Sequence, residues 1–233
     1  MLLFSGVSCS KEQQNGLSAS FPPLKYKIDG NFEDWKTYET IKTDTGIDWS
    51  KAVVTGYDGI HFTEFYEDSD SNYLYLFFKF KPSIQEKYEK KHSSGALGYL
   101  YIDTDANTNT GCTYFDTAGI PQSDTFRAGT STISGSEIQI YFPIGFYINT
   151  ETDGCYISFE IKRWNTITNT FSQTVRIADS RDSNALIAHG KDGVEAALLL
   201  SDLQPIKGNK ITLAFWGDLV TREFVKRTTI QLR

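Results

Sequence analysis

This chain is poor in the residues from which most reactive centres are built. It has three histidines (His61, His92, His189), three cysteines and one methionine in 233 residues. The histidines lack the spacing of a zinc site, and no Gly-x-Ser-x-Gly elbow marks a serine nucleophile. Positive charge is also in deficit, with 23 Lys and Arg against 29 Asp and Glu, a net charge of -6 and a pI near 5.1. A nucleic-acid partner needs a basic stripe to neutralise phosphates, so that class is excluded. Apolar runs are short: past the first residues none reaches the roughly 18 positions of a helical membrane span, which leaves lipid as the only route to a membrane.

Aromatic residues are plentiful, 14% of the chain, with 13 Tyr and 16 Phe. Such residues favour strands. Period-2 alternation recurs over 73–80, 97–103, 137–142, 155–162, 210–216 and 224–232, separated by turn clusters such as Asp68-Ser-Asp-Ser-Asn72 and Asn149 to Gly154. This is the pattern of an antiparallel sandwich. Weaker strands are expected at 24–28, 52–55, 60–66 and 173–177. Ser83-Ile-Gln-Glu86 is a capping box that opens a short helix to Lys91, and Val194 to Leu203 reads as an apolar helix or a buried strand. No repeat and no linker divides the chain, so residues 24–233 are expected to form one domain.

After the apolar stretch 97–102, Asp103-Thr-Asp105-Ala-Asn107-Thr-Asn109-Thr-Gly111 sets an oxygen-bearing side chain at every second position. Oxygens converging at about 2.3 to 2.6 Å are what calcium needs. Asp, Asn, Thr and Gly are equally the residues of a plain polar turn. The EF-hand template does not fit, because Thr108 and Tyr114 stand where it requires Gly and Glu. The expected ligands are therefore Asp103, Asp105, Asn107 and Asn109, joined by backbone carbonyls, by Asp116, or by a loop distant in sequence.

The opening Met1-Leu-Leu-Phe-Ser-Gly-Val-Ser-Cys9 resembles the tail of a bacterial lipoprotein signal, in which the Cys is lipidated. Gly6 stands where that pattern usually has Leu, and no positive segment precedes it. The resemblance implies lipidation at Cys9 and an extracytoplasmic protein anchored to the outer membrane or cell surface, with the periplasm as the alternative. Residues 1–23 then comprise a signal remnant and a polar tether ended by Pro22-Pro23. Setting Cys9 aside leaves Cys112 and Cys155. Two readings stand: a disulfide worth about 4 kcal/mol on the loop-entropy model, or two buried thiols.

On 155–162, Cys155, Ile157, Phe159 and Ile161 share a core face, and continuing the parity sends Trp164 to the solvent side beside the turn Asn165 to Asn169. An exposed Trp there calls for a reason. Four segments together resemble the family 9 carbohydrate-binding modules and the wider DOMON-like sandwiches. They are Ile28-Asp29-Gly30 with Asp34-Trp35; Asn72-Tyr-Leu-Tyr-Leu76; Tyr101-Ile-Asp103-Thr-Asp105 with Thr110-Gly111; and Gly193-Val-Glu195 through Leu203. Leu199 stands where the family usually has Pro, and 110–136 lies outside the shared motifs.

The resemblance implies an all-β, jelly-roll-like antiparallel β-sandwich with one or two short helices, structural calcium near the Asp103 loop, and a clamp of exposed aromatics for a poly- or oligosaccharide. Sugars stack on aromatic faces while polar side chains bond their hydroxyls. Trp49, Trp164 and Trp216 are the expected clamp residues, and Trp35 the expected buried anchor. Neighbouring glycan-degrading or transport proteins are the implied partners. Part of the DOMON-like superfamily carries haem on a Met ligand, and the only Met here is Met1. The other classes weighed are a structural or adhesion domain and, less favoured, a glycoside hydrolase, since no two of the carboxylates Glu64, Glu67, Asp68, Glu160 and Asp179 are paired by the sequence.

Overall fold

The computed structural model describes residues 21–36, 41–43, 61–81, 95–112, 135–147, 154–217 and 224–233. These form an all-β sandwich of two antiparallel sheets. The first sheet contains β1 (Ile41–Thr43), β2 (His61–Ser69), β3 (Tyr73–Lys81), β8 (Ile187–His189) and β9 (Gly193–Leu199), in the order β1-β2-β3-β9-β8. The second contains β4 (Gly95–Asp103), β5 (Ile138–Tyr147), β6 (Gly154–Asn165), β7 (Thr170–Asp179), β10 (Lys210–Gly217) and β11 (Phe224–Gln231), in the order β11-β10-β4-β5-β6-β7. Neighbours in sequence mostly pair as hairpins, and the chain passes between sheets after β3, β7 and β9.

Alternation divides each strand between two faces. Leu74, Leu76 and Phe78 of β3 meet Leu100 and Ile102 of β4, Ile140 and Phe142 of β5, and Ile157, Phe159 and Ile161 of β6 in the main core. Phe78 packs edge-on to Phe142, with ring centroids 5.6 Å apart, and so joins the sheets.

The other face of β3 is covered as well. Residues 21–36 lie over it, where Tyr26 stacks on Trp35 at 4.2 Å, Trp35 leans on Phe77, and Phe32 stacks on Phe77 at 4.4 Å. Strands β3 and β9 are therefore buried on both sides, and β9 is buried along its whole length. That settles the two readings of 194–203: it is a strand to Leu199 followed by a turn, and its continuous apolar run is the mark of a doubly covered strand. The expected strand at 24–28 is irregular backbone, since its role is to cap a sheet face and no ladder continues it. The expected helix at 83–91, strand at 52–55, Asp116 and Trp49 lie outside the described residues.

The Asp-Gly and Asp-Trp opening has a structural cause. Glu195 of β9, fully buried, accepts hydrogen bonds from the Asp29 amide (2.8 Å), the Gly30 amide (2.6 Å) and the Trp35 indole Nε1 (2.9 Å). Gly30 has φ near +80°, and an added Cβ would collide with the His189 carbonyl. Asp34 Oδ2 accepts from the Lys27 amide at 2.7 Å. A second clasp joins both ends of the described chain: buried Asp68 accepts from Tyr26 Oη at 2.7 Å, pairs with Lys25, and lies 3.3 Å from Arg233 Nη1.

Strand register corrects one expectation. Cys112 bridges Ser136, just before β5, whereas Cys155 stands opposite Phe146 near its far end. Ten positions at about 3.3 Å each put roughly 30 Å between them, against the roughly 7 Å that a disulfide tolerates between Cα atoms. Cys112 is buried among Tyr101, Phe171 and Ala214 instead.

Candidate metal loop and aromatic face

The loop after β4 is held by its own side chains. Asp103, 1% exposed, accepts through Oδ1 from the Asp105 and Asn107 amides at 3.2 and 3.3 Å. Asp105 Oδ1 accepts from the Asn107 amide (3.1 Å) and the Thr110 hydroxyl (2.9 Å), and Asn107 Oδ1 from the Asn109 amide (3.1 Å). Side-chain oxygens closing onto amides two residues ahead are what Asp and Asn do in turns. Asn107 and Asn109 are exposed; Asn107 spends its side-chain oxygen on the loop, and Asn109 contributes its backbone amide.

A residue the sequence reading missed completes the cluster. Glu137 lies one step before β5, and the β4–β5 register that pairs Tyr101 with Gln139 carries it opposite Asp103. Carboxylate oxygens of Asp103, Asp105 and Glu137 lie within 4.8 Å of one another. Glu137 Oε2 accepts from the Thr104 amide at 2.8 Å, while its Oε1 is buried without a hydrogen bond among the described residues. Gly135, with φ near +88°, lets the returning chain pass so close that an added Cβ would stand 2.8 Å from the Asn107 carbonyl and 3.1 Å from Asp103 Oδ2.

Charge is only partly balanced here. Burial, aided by the charges of Asp105 and Asp103, raises the Glu137 carboxyl above its usual range against the pull of the Thr104 amide and the nearby Thr110 hydroxyl. Burial acts to raise Asp105 too, but the hydrogen bonds from Lys207 Nζ (2.8 Å) and Thr110 outweigh it and hold that carboxyl low. Three converging carboxylates with one buried, uncommitted oxygen fit a hard divalent cation, for which backbone carbonyls and water would complete six to eight oxygens.

Asp103 and Glu137 sit on the outward side of the second sheet, and rows of side chains continue from them along β4 and β5. One row runs Ala214, Tyr101, Gln139, Lys162 and Thr174. The next runs Tyr99, Tyr141, Glu160 and Ile177, with Trp216 at the register position opposite Tyr99. Tyr99 stacks on Tyr141 with centroids 4.9 Å apart. Trp164 is half-buried and meets Phe171 edge-on at 5.0 Å. Trp164 thus keeps the outward side expected for it but is half-buried rather than exposed. Register shifts in the β6–β7 pair set it opposite Phe171, which covers one side of the ring.

Polar groups are interleaved. Gln139 Nε2 donates to Tyr101 Oη at 3.2 Å, the Thr174 hydroxyl to Glu160 at 2.8 Å, and Lys162 pairs with Glu160 at 3.0 Å. Glu160 is thereby bonded twice, to the Thr174 hydroxyl and the Lys162 ammonium. Two of the three expected clamp residues, Trp164 and Trp216, fall on strands of one sheet. Comparison with protein-family models, curated proteins and solved structures finds no match to this chain.

Proposed function

We propose that this protein is a non-catalytic glycan-binding module of an extracytoplasmic lipoprotein, tethered through Cys9 and stabilised by calcium at Asp103, Asp105 and Glu137. The observation that supports it best is the outward side of the second sheet. There half-buried Tyr99, Tyr141 and Trp164 alternate with Gln139, Glu160, Lys162 and Thr174. Rings provide apolar surface for sugar C–H groups and the polar side chains provide donors and acceptors for hydroxyls.

Calcium acts structurally in this reading. Asp103 and Asp105 leave β4 and Glu137 enters β5, so an ion bound by all three fastens the loop to both strands. Retention of the protein in gels containing plant, host or microbial polysaccharides tests the binding. At least one glycan should slow the wild type, and Tyr141→Ala and Trp164→Ala should each restore mobility. A chain that no glycan slows refutes the proposal.

A structural or adhesion domain is the second reading, favoured by the large exposed side chains Ile167 (90%) and Ile177 (66%) at the β6–β7 tip and on edge strand β7. Capture of a protein partner that Ile177→Lys abolishes, with no glycan retained, would select it.

A further inference from the structure

A separate cavity of about 560 Å³ opens beside the β2–β3 turn, within the size range of small-ligand sites. Four stretches of chain meet in its wall: Phe21 and Pro22, Ser71 and Asn72, Arg176 of β7, and Leu199, Leu200 and Ser201 with Gln204. We propose that this cavity is a binding site for a neutral pyranose unit, with Phe21 as its apolar wall and Arg176, Asn72 and Ser201 as its hydrogen-bonding groups.

The walls are fixed before any ligand arrives. Tyr73 Oη donates to the Pro22 carbonyl at 2.8 Å, and the Leu200 amide to the Asn72 carbonyl at 2.8 Å. Asp202 is held from two directions: Arg163 Nη2 donates to its carbonyl at 3.0 Å, and Arg176 pairs with its carboxylate through Nε and Nη2. Gln204 is spent on the backbone, donating to the Leu200 carbonyl and accepting from the Ile206 amide. Wall groups already in place save the ordering cost that weak binding sites usually carry.

Other groups remain available. Pairing with Asp202 leaves Arg176 Nη1 uncommitted among the described residues, and the Asn72 side-chain carbonyl and the Ser201 hydroxyl likewise accept no bond there. Arg176 sits 5.4 Å from the centre of the Phe21 ring, which is itself 38% exposed although large and apolar. An aromatic wall beside donors and acceptors matches the two surfaces of a sugar ring.

Charge narrows the class. Among the described residues Arg176 is the one charged side chain in the wall, and the buried Asp202 carboxylate behind it offsets that charge. A neutral sugar loses nothing to this balance, whereas a uronate would bring a second carboxylate towards Asp202. The site is distinct from the outer-face residues Tyr99 and Tyr141, so the two stand or fall separately.

Heteronuclear NMR titration with glucose-, mannose- and xylose-based neutral trisaccharides, and with a trigalacturonate, tests the proposal on the full chain. At least one neutral trisaccharide should shift resonances of residues 71–72, 176 and 199–204. Ser201→Trp, which projects a ring into the cavity from an exposed turn, and Phe21→Ala should each weaken that binding about tenfold or more, with melting temperatures confirming that both fold. Binding that survives both substitutions, shifts confined to Tyr99 and Tyr141, stronger binding of the trigalacturonate, or no shift with any sugar would each overturn it. Loss of polysaccharide retention in Tyr141→Ala reports on the outer face alone.

Discussion

Two glutamates should make this fold lose stability as the solution becomes less acidic across pH 5 to 8. Glu195 is fully buried, and burial pushes its carboxyl from the usual 4.5 up to about 7 even though the Gly30 amide, the Trp35 indole and the Asp29 amide favour its charged form. Glu67, 2% exposed, is raised to about 7 by burial and by the charge of Asp68. A folded-state value above the unfolded one means that the folded chain holds the proton more tightly. The resulting stability is therefore complete below about pH 4.5 and is lost as pH rises through 7. At about 1.36 kcal/mol per pH unit, each group accounts for at most about 3 kcal/mol. Asp68, Asp29 and Asp179 have depressed values and act in the opposite sense, but only below their unfolded range, outside this window. Glu195→Gln separates the two contributions. The amide keeps one acceptor for the Asp29 and Gly30 amides but turns an N–H towards the indole N–H, leaving a buried donor unmet at a cost of about 1 to 3 kcal/mol. Urea unfolding followed by tryptophan fluorescence at pH 5, 6, 7 and 8 should show wild-type stability falling with pH. The variant should be weaker at pH 5 and should keep a smaller slope than the wild type, the remainder coming from Glu67 and from Glu137, whose carboxyl burial also raises. A wild type whose stability is flat or rises over this range refutes the reasoning, as does a variant with an unchanged slope.

Calcium at a hundredfold excess over its Kd should stabilise the fold by about 2.7 kcal/mol, a gain that chelator removes and that Glu137→Gln abolishes, read by thermal melting. Gly30→Ala should cost more than about 1 kcal/mol, because φ near +80° and the His189 carbonyl both oppose a side chain; equal urea midpoints would contradict the geometry. Reductant should leave the melting temperature unchanged, since register separates Cys112 from Cys155; a reductant-dependent drop would restore the bridge. Cys9→Ser should move the full-length precursor from detergent-extracted membranes to the aqueous phase, and a variant that stays in the membrane fraction counts against lipidation.

What the chain discloses of its fold depends on how many faces each strand keeps dry. Strand β6 alternates cleanly because Ile157, Phe159 and Ile161 face the core while Glu160 and Lys162 look outward. Strand β9 loses that alternation, since residues 21–36 cover its second face, and an all-apolar run has no period from which to tell strand from helix. Trp35 and Asp29-Gly30 were legible as a motif, but their common partner Glu195 was not, because 160 positions separate it from the indole it accepts.

The proposed metal loop shows the same limit in chemical form. Asp103 and Asp105 announce themselves by spacing, yet an isolated turn of Asp and Asn closes its oxygens onto its own amides, as Asn107 does here. What distinguishes a cation site from such a turn is a carboxylate with an oxygen left over, and Glu137 supplies one from the next strand. Local spacing therefore names half of the acidic cluster and strand register names the rest. Glu137 is consequently the sharper test residue: Asn109→Ala should leave calcium-dependent melting intact, whereas Glu137→Gln should remove it. If Asn109→Ala also removes it, the loop binds the ion through its own side chains and the cross-strand assignment fails.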